Sequence, residues 1–89
     1  MKYQIVIERK ALDFLQTLPG KFQRQIVSKI DSLADNPFPP GCKKLLSTDF
    51  YRLRSGNYII IYSVSRQKIT VFILRIGDRK DIYKKLPKG

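Results

Sequence analysis

Between Lys2 and Ile7 the chain alternates, with Tyr3, Ile5 and Ile7 on one side and Lys2, Gln4 and Val6 on the other. That period of two marks a half-buried strand. From Glu8 to Leu18 the period lengthens: Ala11, Leu12, Phe14, Leu15 and Leu18 form one apolar stripe of an amphipathic helix, which Pro19-Gly20 ends. A second helix is predicted from Lys21 to Ala34, where Phe22, Ile26, Ile30 and Leu33 recur at spacings of four, four and three. Its outward side carries Lys21, Arg24, Gln25, Ser28 and Lys29. Asn36-Pro-Phe-Pro-Pro-Gly41 cannot continue a helix, because its prolines lack donors and its glycine frees a turn.

Three strand patterns follow, at about 49–54, 57–64 and 68–76. Ser55-Gly56-Asn57 supplies turn chemistry between the first two, and Ser65-Arg66-Gln67 is short enough for a hairpin between the others. Tyr58, Ile60 and Tyr62 share one face of the middle strand, with Ile59 and Ile61 on the opposite one; a stripe of that kind belongs to a core and marks the centre of the sheet. Lys80 to Leu86 is a short helical turn or a tail. The order β-α-α-β-β-β gives an α+β fold: two N-terminal helices packed on one face of a mostly antiparallel sheet. The other face is expected to be free for a ligand. At 89 residues the chain is read as one domain, 1–89, with a core large enough to fold alone by a small margin.

Charge changes the picture most. The net charge is +11, and it is uneven: residues 1–42 hold six Lys/Arg against four Asp/Glu, whereas residues 43–89 hold twelve against three. The C-terminal half therefore carries +9 and should attract a polyanion. A merely solvated basic surface is the plainer alternative, but these charges also sit inside strand-like segments. The single Cys42 cannot form an internal disulfide, which suits a reducing cytoplasm. With no histidine in the chain, neither a metal site nor a Cys/His nucleophile can be assembled. The first residues lack the apolar run of a signal peptide, and no stretch is long enough to span a membrane.

Candidate chemistry is concentrated in two places. Arg52 and Arg54, two apart on a strand, project from one face, and guanidiniums present fixed, permanently charged forks to phosphate oxygens. The second place is Gly77-Asp78-Arg79-Lys80-Asp81-Ile82-Tyr83, just after a strand with Arg75 near its end. There glycine is expected to turn the backbone and present Arg79 at a corner. Tyr83 offers a ring to stack on a base, or else caps the core while Arg79 pairs with Asp81. Nothing fixes a pair of carboxylates at a catalytic separation, and Gly-rich phosphate loops, HExxH and GxSxG are absent.

Taken together, the strand before two helices broken near Leu18-Pro19, Lys44-Leu45, Tyr51-Arg-Leu-Arg-Ser-Gly-Asn-Tyr58, and Ile73-Leu-Arg-Ile-Gly-Asp-Arg-Lys-Asp-Ile-Tyr83 resemble the RelE/ParE superfamily, the small basic toxins of type II toxin–antitoxin pairs. The resemblance spans essentially the whole chain. It implies a ribosome-dependent mRNA endonuclease in which the RNA's own 2′-hydroxyl attacks the adjacent phosphate, without metal or cofactor. It also implies a cognate acidic antitoxin, and operator DNA met only through the antitoxin complex. Arg52 and Arg54 would hold or activate the attacking group, Arg79 would assist the leaving oxygen and Tyr83 would orient or stack the target nucleotide. Lys44, Arg75, Lys80, Lys84 and Lys85 would contact RNA. Two departures stand out. Ile59 replaces the arginine that active relatives carry after the first tyrosine of the central strand, and Asp78 stands where many have histidine. The lost donor is worth about 2.7–4 kcal/mol in enzymes of other kinds. Asp78 is the one candidate for a general base, since the arginines do not give up a proton. A gyrase inhibitor of the same fold, and a weakened member that Ile59→Arg would restore to toxicity, are the alternatives.

Overall fold

The computed structural model of the chain describes residues 2–85, the side chain of Lys85 excepted. The elements in chain order are β1 (Gln4–Ile7), α1 (Arg9–Gln16), α2 (Gly20–Asp35), β2 (Lys43–Lys44), β3 (Tyr51–Ser55), β4 (Tyr58–Ser65) and β5 (Thr70–Asp78), followed by a 3₁₀ turn, Ile82–Lys85. They build one five-stranded sheet in the order β1-β5-β4-β3-β2. Only the β1–β5 pair is parallel; the other three pairings are antiparallel. The expected α+β layout is therefore present, with β4 in the middle. The two-residue β2 was not expected: a pair of lysines has little strand propensity, and it is held only by pairing Lys43 with Arg52 and Lys44 with Tyr51.

Local chemistry accounts for the junctions. α1 ends where Thr17 Oγ1 donates to Phe14 O at 2.6 Å, while the Gln23 amide donates to Leu18 O at 2.8 Å and so satisfies a carbonyl the helix leaves bare. Pro19, at φ −55°, is already set for the start of α2. Gly56 takes φ 60° at the first position of the β3–β4 turn, a conformation few other residues tolerate.

Both helices cover one face of the sheet. Ala11 and Leu15 from α1 and Ile26, Ile30 and Leu33 from α2 pack with Leu53, Ile60, Tyr62, Val71, Ile73 and Ile76. The alternation of β1 matches this, since Tyr3, Ile5 and Ile7 lie against that core and Val6 is exposed. Tyr58 sits between the helices, its ring edge-on to Phe14 and Phe22 at 6.1 and 5.7 Å. At the far end Tyr51 stacks on Tyr62, and the Tyr62 hydroxyl donates to Pro37 O at 2.8 Å. The proline-rich stretch is thus tied to the central strand by one buried hydrogen bond.

Burial first, and the neighbouring Cys42 thiol second, push the Tyr62 phenol well above its ordinary value near 10. Because the folded-state pKa is the higher one, the stabilisation from Tyr62 is complete below about pH 10 and is lost as pH rises beyond it. Tyr62→Phe leaves the Pro37 carbonyl without its donor. It should cost about 1–2 kcal/mol at pH 7 and flatten the alkaline fall in stability. Urea titrations at pH 7 and above pH 10 read both effects.

Candidate functional site

The second face of β4 is also closed. Ile59 and Ile61 have no exposed surface, and Ile82 from the 3₁₀ turn packs on them, with Leu45 and Phe50 alongside. The expectation of a bare face is corrected on this point. A central strand with apolar side chains on both sides needs a second cover, and the segment after β5 folds back to supply it.

Around this small apolar floor lie the arginines. Register pairs Lys43 with Arg52, Arg52 with Ile61 and Ile61 with Arg75, so all four share the face away from the helices. A parallel row runs Arg54–Ile59–Gly77. Strand geometry sets Arg52 and Arg54 about 7 Å apart along β3, and places Arg75 about 10 Å from Arg52 across β4. The β5 backbone gains a residue at Leu74, where the register shifts between Ile61 and Tyr62. That bulge returns Arg75 to the open face.

Two of the head groups, those of Arg54 and Arg75, are held by carbonyls. Arg54 Nε donates to Gly56 O at 2.8 Å, and an Arg75 terminal nitrogen donates to Leu74 O at 2.6 Å. Among the described residues the one ion pair is Lys2–Asp35, at 3.8 Å and exposed. The guanidiniums are therefore oriented by neutral acceptors and keep their full charge. An apolar floor strengthens their pull on an anion by lowering the local dielectric.

Arg79 lies at a corner of the sheet. Its N–H donates to Asn57 O at 2.9 Å, so its backbone is fastened to the same turn that holds Arg54's guanidinium. With Asn57, Asp78 and Lys80 it lines a small recess of about 210 Å³. Arg79 makes no pair with Asp81 among the described residues. Tyr83 is 43% exposed, so capping the core falls to its neighbour Ile82. Lys80 and Lys84 are exposed beside it; the side chain of Lys85 lies outside the described residues.

Three expectations need revision. Lys44 pairs with Tyr51, on the helix-covered side, so it is Lys43 that joins the Arg52 row. Asp78 pairs with Tyr58, also on the helix side, and its Oδ1 accepts the Lys80 N–H at 3.0 Å; it does not face the arginine rows. Gly77 is not a turn but part of β5. It is needed because a Cβ there would lie 2.7 Å from Ile82 Cδ1. A glycine inside a strand pattern signals such close approach, and that was the available clue to Ile82. Among the described residues no group of three or more His, Cys, Asp or Glu could hold a metal, and no helix is long and apolar enough to cross a membrane.

Comparison with known proteins agrees with this architecture. The family described as ParE toxin of type II toxin-antitoxin system, parDE, matches residues 5–83. The chain is 30% identical over 88 residues to the RelE1 protein of Methanocaldococcus jannaschii, covering 94% of this chain and 98% of that one. It is 26% identical over 92 residues to the mRNA interferase toxin RelE of Escherichia coli K12, covering 99% and 97%. The archaeal RelE in the RelE–RelB complex from Pyrococcus horikoshii OT3 superposes with TM-score 0.80 at 33% identity, covering 89% of this chain and 97% of that one. The fold is that of the RelE/ParE toxin superfamily. This chain belongs to the ParE toxin family of type II toxin–antitoxin systems.

Ile59, in the place of the arginine expected from active relatives, is fully buried under Ile82. Ile59→Arg should therefore expel the 3₁₀ turn from its seat. A loss of about 2–4 kcal/mol in urea unfolding is expected from overpacking and a poorly solvated charge.

Proposed function

We propose that this chain is an mRNA endonuclease toxin that acts on RNA held in the ribosome. The observation that carries the reading is the face of Arg52, Arg54 and Arg75, of which Arg54 and Arg75 are held by carbonyls; none of the three is paired with an acid among the described residues, and the exposed Tyr83 bounds the face. The name of the E. coli relative, an mRNA interferase, supports the same class. In the proposed reaction the 2′-oxygen forms a bond to the adjacent phosphorus while the bond to the 5′-oxygen breaks. The attacking hydroxyl gives up a proton and the leaving oxygen gains one. Arg52 and Arg54 bind the phosphate and stabilise the charge that grows on its oxygens. Arg79 serves the leaving oxygen, and the ring of Tyr83 stacks on a base. Lys43, Lys80 and Lys84 extend the cationic track along the RNA backbone. No metal or cofactor enters this scheme, and the protein works in the cytoplasm.

The partner proposed for the resting state is a cognate acidic antitoxin, as the RelB-bound relatives suggest. Its negative charge would cover the arginine face, and operator DNA would be met through that complex. A second reading, inhibition of DNA gyrase, is favoured by one feature: the buried Ile59 where the resemblance implies a phosphate-binding arginine.

Expression of the chain alone, with primer extension on a cellular mRNA, separates the two. Growth arrest with codon-phased cuts is expected, and Arg52→Ala or Arg79→Ala should each slow cleavage on programmed ribosomes by about 100-fold. Arrest with intact mRNA and induced DNA-damage signalling would select gyrase. Unimpaired growth would remove both toxic activities.

A further inference from the structure

The segment after β5 carries two of the proposed reactive groups, yet its own fold is slight. It has one turn closed by Asp81 N–H donating to Asp78 O at 2.9 Å, and a 3₁₀ turn of four residues closed by Lys84 N–H donating to Asp81 O at 3.0 Å. A turn this short is not stable by itself. Something outside it must set where residues 79–83 sit. Two attachments to the sheet are present. One is the Arg79 N–H to Asn57 O. The other is Ile82, 1% exposed, in contact with Ile59 and Ile61.

Ile82 fills the space that a side chain at Gly77 would need. A Cβ at Gly77 would stand 2.7 Å from Ile82 Cδ1, but 3.4 Å from its Cβ and 3.6 Å from its Cγ1. Only the terminal methyl occupies the space that glycine leaves. Gly77 and Ile59 are cross-strand partners, Ile59 is opposite Arg54, and Tyr83 follows Ile82 directly. In a 3₁₀ turn successive side chains diverge by a third of a revolution. With Ile82 pinned inward, Tyr83 is held at the rim.

We infer that Ile82, seated in the notch at Gly77, is a positioning residue that sets Tyr83 and Arg79 against the arginine face. This rests on the nuclease reading for its effect on rate, but not for the seat itself. Ile82 touches no substrate; it acts through the residues on either side. In this chain the floor position Ile59 serves that seat rather than the phosphate.

The test exchanges the methyl between partners. Gly77→Ala adds a methyl where Cδ1 lies, and Ile82→Val removes Cδ1. Gly77→Ala alone should lower kcat on programmed ribosomes by about 10- to 100-fold, as expected for a small misplacement, with little change in KM. Gly77→Ala/Ile82→Val should recover to within about threefold, because the remaining contacts are ordinary packing distances. The chain has no tryptophan, so Tyr83→Trp provides a single reporter in each background. Its fluorescence anisotropy should drop with Gly77→Ala and return in the combined variant.

Should Gly77→Ala fail to fold, the pair still decides: a folded combined variant with near-normal kcat and anisotropy supports the seat. A folded combined variant that stays slow and mobile overturns it. Changes in Tm alone, with kcat and anisotropy unmoved in Gly77→Ala, would likewise overturn it by reducing Ile82 to a packing role. If the unaltered chain cuts no mRNA, the nuclease reading falls, while the anisotropy series continues to report on Gly77 and Ile82.

Discussion

Four consecutive residues of the central strand, Ile59 to Tyr62, have no exposed surface, and that constraint organises the molecule. A strand buried on both faces must be covered twice. In a chain of 89 residues two helices suffice for one side only. The other side is closed by short pieces, Leu45 and Phe50 from the connection before β3 and Ile82 from the turn after β5. Burying one such side chain is worth about 1.5–3 kcal/mol, a sizeable part of the stability of a domain this small. Closing the second face and fixing the C-terminal turn are therefore one event.

That closure also sets the electrostatics. The floor is apolar and the rim cationic, and the rim residues occupy strand positions where they cannot drift far. Arg54 and Arg75 are oriented through carbonyl acceptors, which steer a guanidinium without cancelling its charge. A carboxylate in either place would orient equally well and neutralise the site. Clustered like charges without acids repel one another and reduce stability. The second apolar cluster offsets that repulsion, and a bound polyanion relieves it. A protein built this way is more stable when covered by an acidic partner, and the arrangement suits one whose free and bound states differ in activity.

Much of the fold was legible in the sequence. The alternation of Tyr3, Ile5 and Ile7, the four-four-three spacing from Phe22 to Leu33 and the turn at Gly56 each lead to the element observed. The pairing of Arg52 with Arg54 on one face followed from strand period alone. What failed depended on register and on the third dimension. Lys44 and Lys43 are chemically alike, and only their pairing with Tyr51 and Arg52 assigns them to different faces. The Leu74 bulge shifts the alternation of β5 by one residue, which a strict period of two cannot foresee. Gly77 read as a turn because glycine before Asp-Arg-Lys-Asp has turn composition; its actual reason is an isoleucine five residues on.

The buried Ile59 bears on how the superfamily's two activities are to be separated here. An arginine at that position would need room above the sheet and contact with water or phosphate. Ile82 takes the room, Gly77 makes it available to Ile82, and Leu45 and Phe50 pack alongside. The isoleucine is thus not an isolated loss of a charge but one member of an apolar set that works only together. The cationic groups lie instead around the floor: Arg52 and Arg54 on one side, Arg75 on the other, with Lys43 extending the row. Three guanidiniums on a rigid sheet can supply the charge that one more at the centre would have provided. The cationic groups are consequently spread, and an anion that meets Arg52 and Arg75 together must span an apolar centre about 10 Å across.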